Sequence, residues 1–168
     1  MNHWLLKEEP THYSYEDLER DGHAVWDGVH NPTALQNIRA MRPRDLGLYY
    51  HTGEVRAAVG IMEIAGLPYA NPSDPRTSFS VEVRPVRRLA HPIPLASLKA
   101  DPLFATSPLV RISRLTVVPI TSAQWQRVLR LERGPATEVT PPSRSSVPTG
   151  RPGRSGAAGR RRRPPGSR

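Results

Sequence analysis

Trp26-Asp27-Gly28-Val29-His30-Asn31 sets a large aromatic among polar and turn-forming residues, with no apolar partner at strand or helix spacing to explain its burial. A flat ring in such a stretch suits stacking on a planar ligand, an interaction worth ~1–3 kcal/mol per nucleobase. Asp27 adds an acceptor, and Asn31 adds an amide that both donates and accepts. The residues alone leave two readings of Trp26: a pocket wall, or a loop side chain folded over the core. Tyr50-His51-Thr52 forms a second group, at the end of an expected strand where side chains leave the sheet. His51 and Thr52 can hydrogen-bond a base edge, and Tyr50 offers apolar area or a hydroxyl. Lys7 and Arg111 are candidates for rim or phosphate contacts.

Catalytic chemistry finds little purchase. The chain has no Cys, which removes thiolate nucleophiles, thiolate metal sites and disulfides together. Its six His show no HExxH or comparable metal spacing, and no glycine-rich phosphate loop is present. Asp27 with His51 would make an acid–base pair, but nothing in the sequence sets a nucleophile beside them. No catalytic residue, metal site or cofactor is therefore expected.

The elements that must position these residues are short. His3 to Lys7 reads as an opening strand, closed by Glu9-Pro10 because proline cannot donate to a ladder. Ser14 with Asp17 starts a brief helix that ends near Asp21-Gly22. After the Trp26 loop, Asn31-Pro32 supplies an N-cap and a first-turn proline for a helix over Thr33 to Met41, with Ala34, Ile38 and Met41 on one face. Strands follow at Leu46 to His51, Ala57 to Ile64 and Phe79 to Leu89, the last alternating Phe79, Val81 and Val83 with Ser80, Glu82 and Arg84. Pro94 to Ala100 reads as a short helix and Leu115 to Pro119 as a strand. Thr121 and Gln124 form a capping box before the apolar stripe Trp125, Val128 and Leu129. Trp125 and Trp4 are read as core. Several short strands in a barrel-like mixed sheet with peripheral helices make an α+β fold.

The charge is unevenly distributed. Residues 134–168 hold eight Arg, seven Pro and six Gly with one acid, and carry +7 of the net +9, leaving +2 on residues 1–133. Too little in this segment is apolar to offset the entropy of ordering, so a folded domain over 1–133 and a disordered tail over 134–168 are expected. Arg160, Arg161, Arg162 and Arg163 form a cluster able to contact phosphates without reading sequence. The longest apolar run, near Ala57 to Met62, falls far short of the roughly 20 residues of a membrane helix. A cytoplasmic monomer without a leader is expected, nuclear if the source is eukaryotic.

In order and spacing, Trp4-Leu5-Leu6-Lys7-Glu8-Glu9-Pro10, the Trp26 segment and Leu48-Tyr49-Tyr50-His51-Thr52-Gly53 resemble the EVE domain, a relative of PUA-like nucleic-acid-binding modules. Pro85-Val86-Arg87-Arg88-Leu89, Leu98-Lys99-Ala100-Asp101-Pro102 and Arg114-Leu115-Thr116-Val117-Val118-Pro119 extend the likeness over about residues 2–131. It implies a PUA-like fold and a non-enzymatic reader that takes a modified base of DNA or RNA, single-stranded or flipped, into a pocket walled by Trp26 and edged by Tyr50, His51 and Thr52. The family usually has Ser where Glu8 and Thr52 stand, Arg at His30, Tyr at Pro32 and Gln at Ile112. A carboxylate at Glu8 repels phosphate but accepts from an exocyclic amine, as Glu does from cytosine. The competing expectation is an interaction protein whose basic tail binds nucleic acid or an acidic partner while the folded body is a scaffold.

Overall fold

The computed structural model describes residues 1–75 and 78–134; the expected tail, and Arg160 to Arg163 with it, lies outside the described residues beyond Gly134. Local signals start the first half of the chain. Strand β1 (His3–Glu8) leads to helix α1 (Tyr15–Asp21), where Ser14 and Asp17 close a capping box and Gly22 ends the helix at φ 72°. Strand β2 (Ala24–Trp26) is only three residues long. Helix α2 (Pro32–Ala40) begins where expected, with the Asn31 side chain accepting from the Ala34 N–H. Ala34, Ile38 and Met41 are all fully buried.

Strands β3 (Leu46–His51) and β4 (Ala57–Ile64) match the sequence reading. After the short β5 (Tyr69–Ala70) comes β6, which runs from Phe79 to Pro94, five residues past the expected end at Leu89. The strand tolerates Pro85 because register with β4 shifts there: Ile61 faces Arg87 while Met62 faces Pro85, so Val86 is bulged out where a donor is missing. Ser80, expected on the solvent face, is buried. Helix α3 (Leu95–Ala100), a 3₁₀ turn (Pro102–Phe104), helix α4 (Pro108–Arg111), strand β7 (Val117–Ile120) and helix α5 (Ser122–Leu131) complete the order.

The main path of the sheet is β2-β6-β4-β3-β1-β7, with β5 paired to β6. Among the described residues, β1 and β3 are the one parallel pair; the other pairs are antiparallel, and the bulges in the β3–β4 and β4–β6 ladders curl the sheet. The result is the α+β, barrel-like arrangement expected, with helices around a mixed sheet. Trp4 and Trp125 are core residues: the Trp4 indole donates to Asp45, and Trp125 stacks on His3 at 4.4 Å between centroids.

One close approach fixes α1 on the sheet. A Cβ at Gly60 would lie 2.5 Å from two ring carbons of Tyr15, whose hydroxyl donates to the Ile61 carbonyl at 2.6 Å. Both are buried, so Gly60→Ala must push the ring and α1 outward, at a cost of about 1–3 kcal/mol. Denaturant unfolding should show a lower midpoint with little change in slope. An unaltered midpoint would mean that α1 yields freely.

Candidate functional site

Alternation along β3 organises this side of the molecule. Tyr49 and His51 share one face and Tyr50 and Thr52 the other. Tyr49 is fully buried and meets three rings edge-on: Tyr15 at 5.4 Å, Trp26 at 5.4 Å and His51 at 5.5 Å. Its hydroxyl donates to the Tyr13 carbonyl at 2.6 Å, and burial drives its pKa far above the ordinary tyrosine value. Trp26 is thus braced from behind by a neutral, fully buried ring.

Trp26 is not in a loop. It closes β2 opposite Val81 of β6, and Ala24 shares its face of that strand. Only 7% of it remains exposed, and it borders a cleft of about 920 Å³. Lys7, Glu8, Asp27 and Asn31 line the same cleft, so five of the residues selected from sequence meet there. Asn31 uses its Oδ1 on the Ala34 N–H at 3.0 Å, which leaves its amide donors for a ligand. Glu8 Oε1 accepts from the Glu9 N–H at 2.9 Å and lies 3.1 Å from His12 Nδ1. Gly28, at φ 69°, lets the chain turn between Asp27 and the buried Val29.

The remaining selected residues go elsewhere. Tyr50 and Thr52 open onto a separate pocket of about 310 Å³, which shares only Lys7 with the main cleft. His51 serves the framework: its Nε2 accepts from the Tyr15 N–H at 3.1 Å, and burial lowers its pKa, keeping that nitrogen unprotonated. His51 and Asp27 are therefore not brought together as an acid–base pair. Arg111 ends α4, exposed, outside the lining of either pocket, and Ile112 beside it is 48% exposed. Of the other departures, His30 lines the main cleft, and Pro32 simply opens α2.

Sequence reasoning missed Tyr13, Asp21, His23, Arg114 and Thr116, which also line the cleft. The Tyr13 hydroxyl donates to Asp21 at 2.9 Å, and burial, reinforced by that carboxylate, pushes its pKa up to about 12. Arg114 and Thr116 lie within a motif already singled out; only their direction was illegible. With two aromatics, several hydrogen-bonding groups of both kinds and charges of both signs, the cleft suits a flat polar ligand better than a simple anion.

The EVE domain model matches residues 2–131. The chain belongs to the EVE domain family. Mouse thymocyte nuclear protein 1 is 32% identical in an alignment covering 78% of this chain and 74% of the mouse protein. Among solved structures, a protein from Agrobacterium tumefaciens superposes with a TM-score of 0.76 at 33% identity, covering 79% of this chain and 93% of that one. Human thymocyte nuclear protein 1, solved in complex with DNA containing 5-methylcytosine, has a TM-score of 0.72 at 27% identity, covering 79% of this chain and 98% of the human one. In this EVE domain, no group of three or more His, Cys, Asp or Glu able to hold a metal occurs among the described residues. Among the same residues, no helix is long and apolar enough to cross a membrane.

Proposed function

We propose that this protein is a non-enzymatic reader that takes one unstacked, modified base of a nucleic-acid strand into the cleft walled by Trp26. The observation that carries this reading is Trp26 itself: held edge-on by Tyr49, yet bordering an open cleft of ligand size. The family membership and the human relative's 5-methylcytosine-containing DNA support the same ligand class. The part of Trp26 that reaches the cleft supplies aromatic contact, the Asn31 amide donates to the base edge, and Glu8 or Asp27 accepts from an exocyclic amine. Lys7 also lines the cleft, and its ammonium is the group there that suits the strand's backbone. His51 is a positioning residue that acts through Tyr15 and Tyr49.

A base can enter such a cleft only after leaving its stack, which costs a few kcal/mol in a paired duplex and less at a mismatch. Affinity should therefore fall in the order single strand, duplex mismatched at the modified base, fully paired duplex. Fluorescence-anisotropy titrations with one sequence in the three forms check this. Equal affinity for all three would mean that the base is read in place or not at all.

A further inference from the structure

The second pocket is lined by cations and, among the described residues, by no acid. Three cations converge on it from three elements: Lys7 from β1, Arg56 from the β3–β4 turn and Lys99 from the last turn of α3. Among the described residues no ion pair engages Lys7, Arg56 or Lys99, whereas Arg20, Arg84, Arg87, Arg88 and Arg127 are each held by a carboxylate; what sets the three apart from the other unpaired cations is that they line one pocket. Glu9 reaches the neighbourhood, but its carboxylate accepts from the Thr52 hydroxyl at 3.0 Å.

The framework holds Arg56 and Lys7 in place. Arg56 adopts φ 45°, a left-handed conformation unfavourable for a residue with a side chain. Its carbonyl accepts from the Leu95 N–H at 2.8 Å, and its Nε donates to the Gly53 carbonyl at 3.1 Å, leaving the guanidinium's terminal nitrogens available. The Lys7 ammonium donates to the Ser113 carbonyl at 3.1 Å and retains two further donors. Lys7 lines both cavities, so an anion here lies one side chain away from the base cleft.

We propose that the pocket formed by Lys7, Arg56 and Lys99 seats a backbone phosphodiester of the same strand whose base enters the Trp26 cleft. This rests on the base-reading function above and adds the path of the strand, from the main cleft across Lys7 toward α3. A phosphate held there positions the strand without reading it.

The test uses the full chain and two single strands of one sequence, with 5-methylcytosine or cytosine at one position. Each is made with a normal linkage or a neutral methylphosphonate beside that position. The variant is Arg56→Gly with Lys99→Gln, since glycine suits the left-handed backbone at position 56; melting curves check that it is folded. The variant should bind both normal strands about 3- to 10-fold more weakly, as expected for losing exposed charge pairs. Its slope of log affinity against log salt should be shallower by ~0.7 for each phosphate that is no longer neutralised. The ratio between the two bases should not change. The neutral linkage should weaken the wild type by a similar factor and add little to the variant. Unchanged affinity and slope, or losses from linkage and variant that simply add, would overturn the phosphate seat. If the wild type fails to distinguish the two bases but linkage and variant remain coupled, the base-reading function falls while the phosphate seat stands.

Discussion

Replacing Trp26 with alanine is expected to damage stability and recognition together. The side chain is 93% removed from solvent and packs edge-on against Tyr49 at 5.4 Å and 81°. Deleting a buried aromatic of this kind costs about 3–5 kcal/mol. Tyr49 would lose one of the three rings around it, and the wall of the cleft would collapse or fill with water. In the folded fraction, loss of stacking should weaken binding by a further ~1–3 kcal/mol, roughly 5- to 150-fold. The two losses are separable by measuring unfolding and binding on the same preparation. A folding loss with undiminished affinity would identify Trp26 as core alone.

The second large effect is expected far from the cleft, at Asp45. Its buried carboxylate accepts from the Asn2 N–H at 2.8 Å, the Arg42 N–H at 3.0 Å and the Trp4 indole at 3.1 Å, tying the start of β1 to the start of β3. Asp45→Ala leaves these donors unpartnered at about 1–3 kcal/mol for each that stays buried, so a total near 3 kcal/mol is expected. Burial alone would raise the pKa of this carboxyl, but the hydrogen bonds from Asn2, Trp4 and Arg42 hold it below the ordinary aspartate value. A depressed folded-state pKa means that Asp45 stabilises the protein above its unfolded value of about 3.9, and that this contribution disappears as pH falls through the folded value. The difference in unfolding free energy between wild type and Asp45→Ala should be constant near neutrality and shrink below about pH 4. A difference that stays constant to low pH would show that the carboxylate's charge is not what holds the corner together.

The pattern of what was legible in the sequence follows from how local each signal is. Ser14 with Asp17, Asn31 with Pro32, and Thr121 with Gln124 announce helix starts through contacts within three residues, and α1, α2 and α5 begin there. Strands β3 and β4 were long enough to reveal themselves by composition. Strands β2 and β5 and helix α4 have three, two and four residues, and the two strands exist only because β6 pairs with them across the chain. Trp26 therefore looked like a loop residue: its partner Val81 is 55 positions away, and no local pattern names it.

The candidate site shows the same division. Lys7, Glu8, Trp26, Asp27 and Asn31 share one cleft, but residue types could not reveal that Tyr50 and Thr52 point away from it. Strand alternation required that separation once Tyr49 had been placed inward beside Trp26. The exposure of Ile112 removes it from the lining of the cleft, whereas Glu8 and His30 remain there as the departures from the family pattern with most bearing on ligand choice.

The central claim is that Trp26 reads a modified base, and a conservative variant tests it most directly. Trp26→Leu keeps apolar volume against Tyr49 while removing the aromatic face. Wild type and variant should be titrated side by side with single strands that differ only by 5-methylcytosine or cytosine at one position. One methyl group in an apolar site is worth ~1–3 kcal/mol, so the wild type should prefer the methylated strand roughly 5-fold or more. In folded Trp26→Leu that preference should drop toward parity, with the salt dependence unchanged because stacking releases no counterions. A variant that keeps the full preference would contradict the assignment of Trp26 as the reading residue.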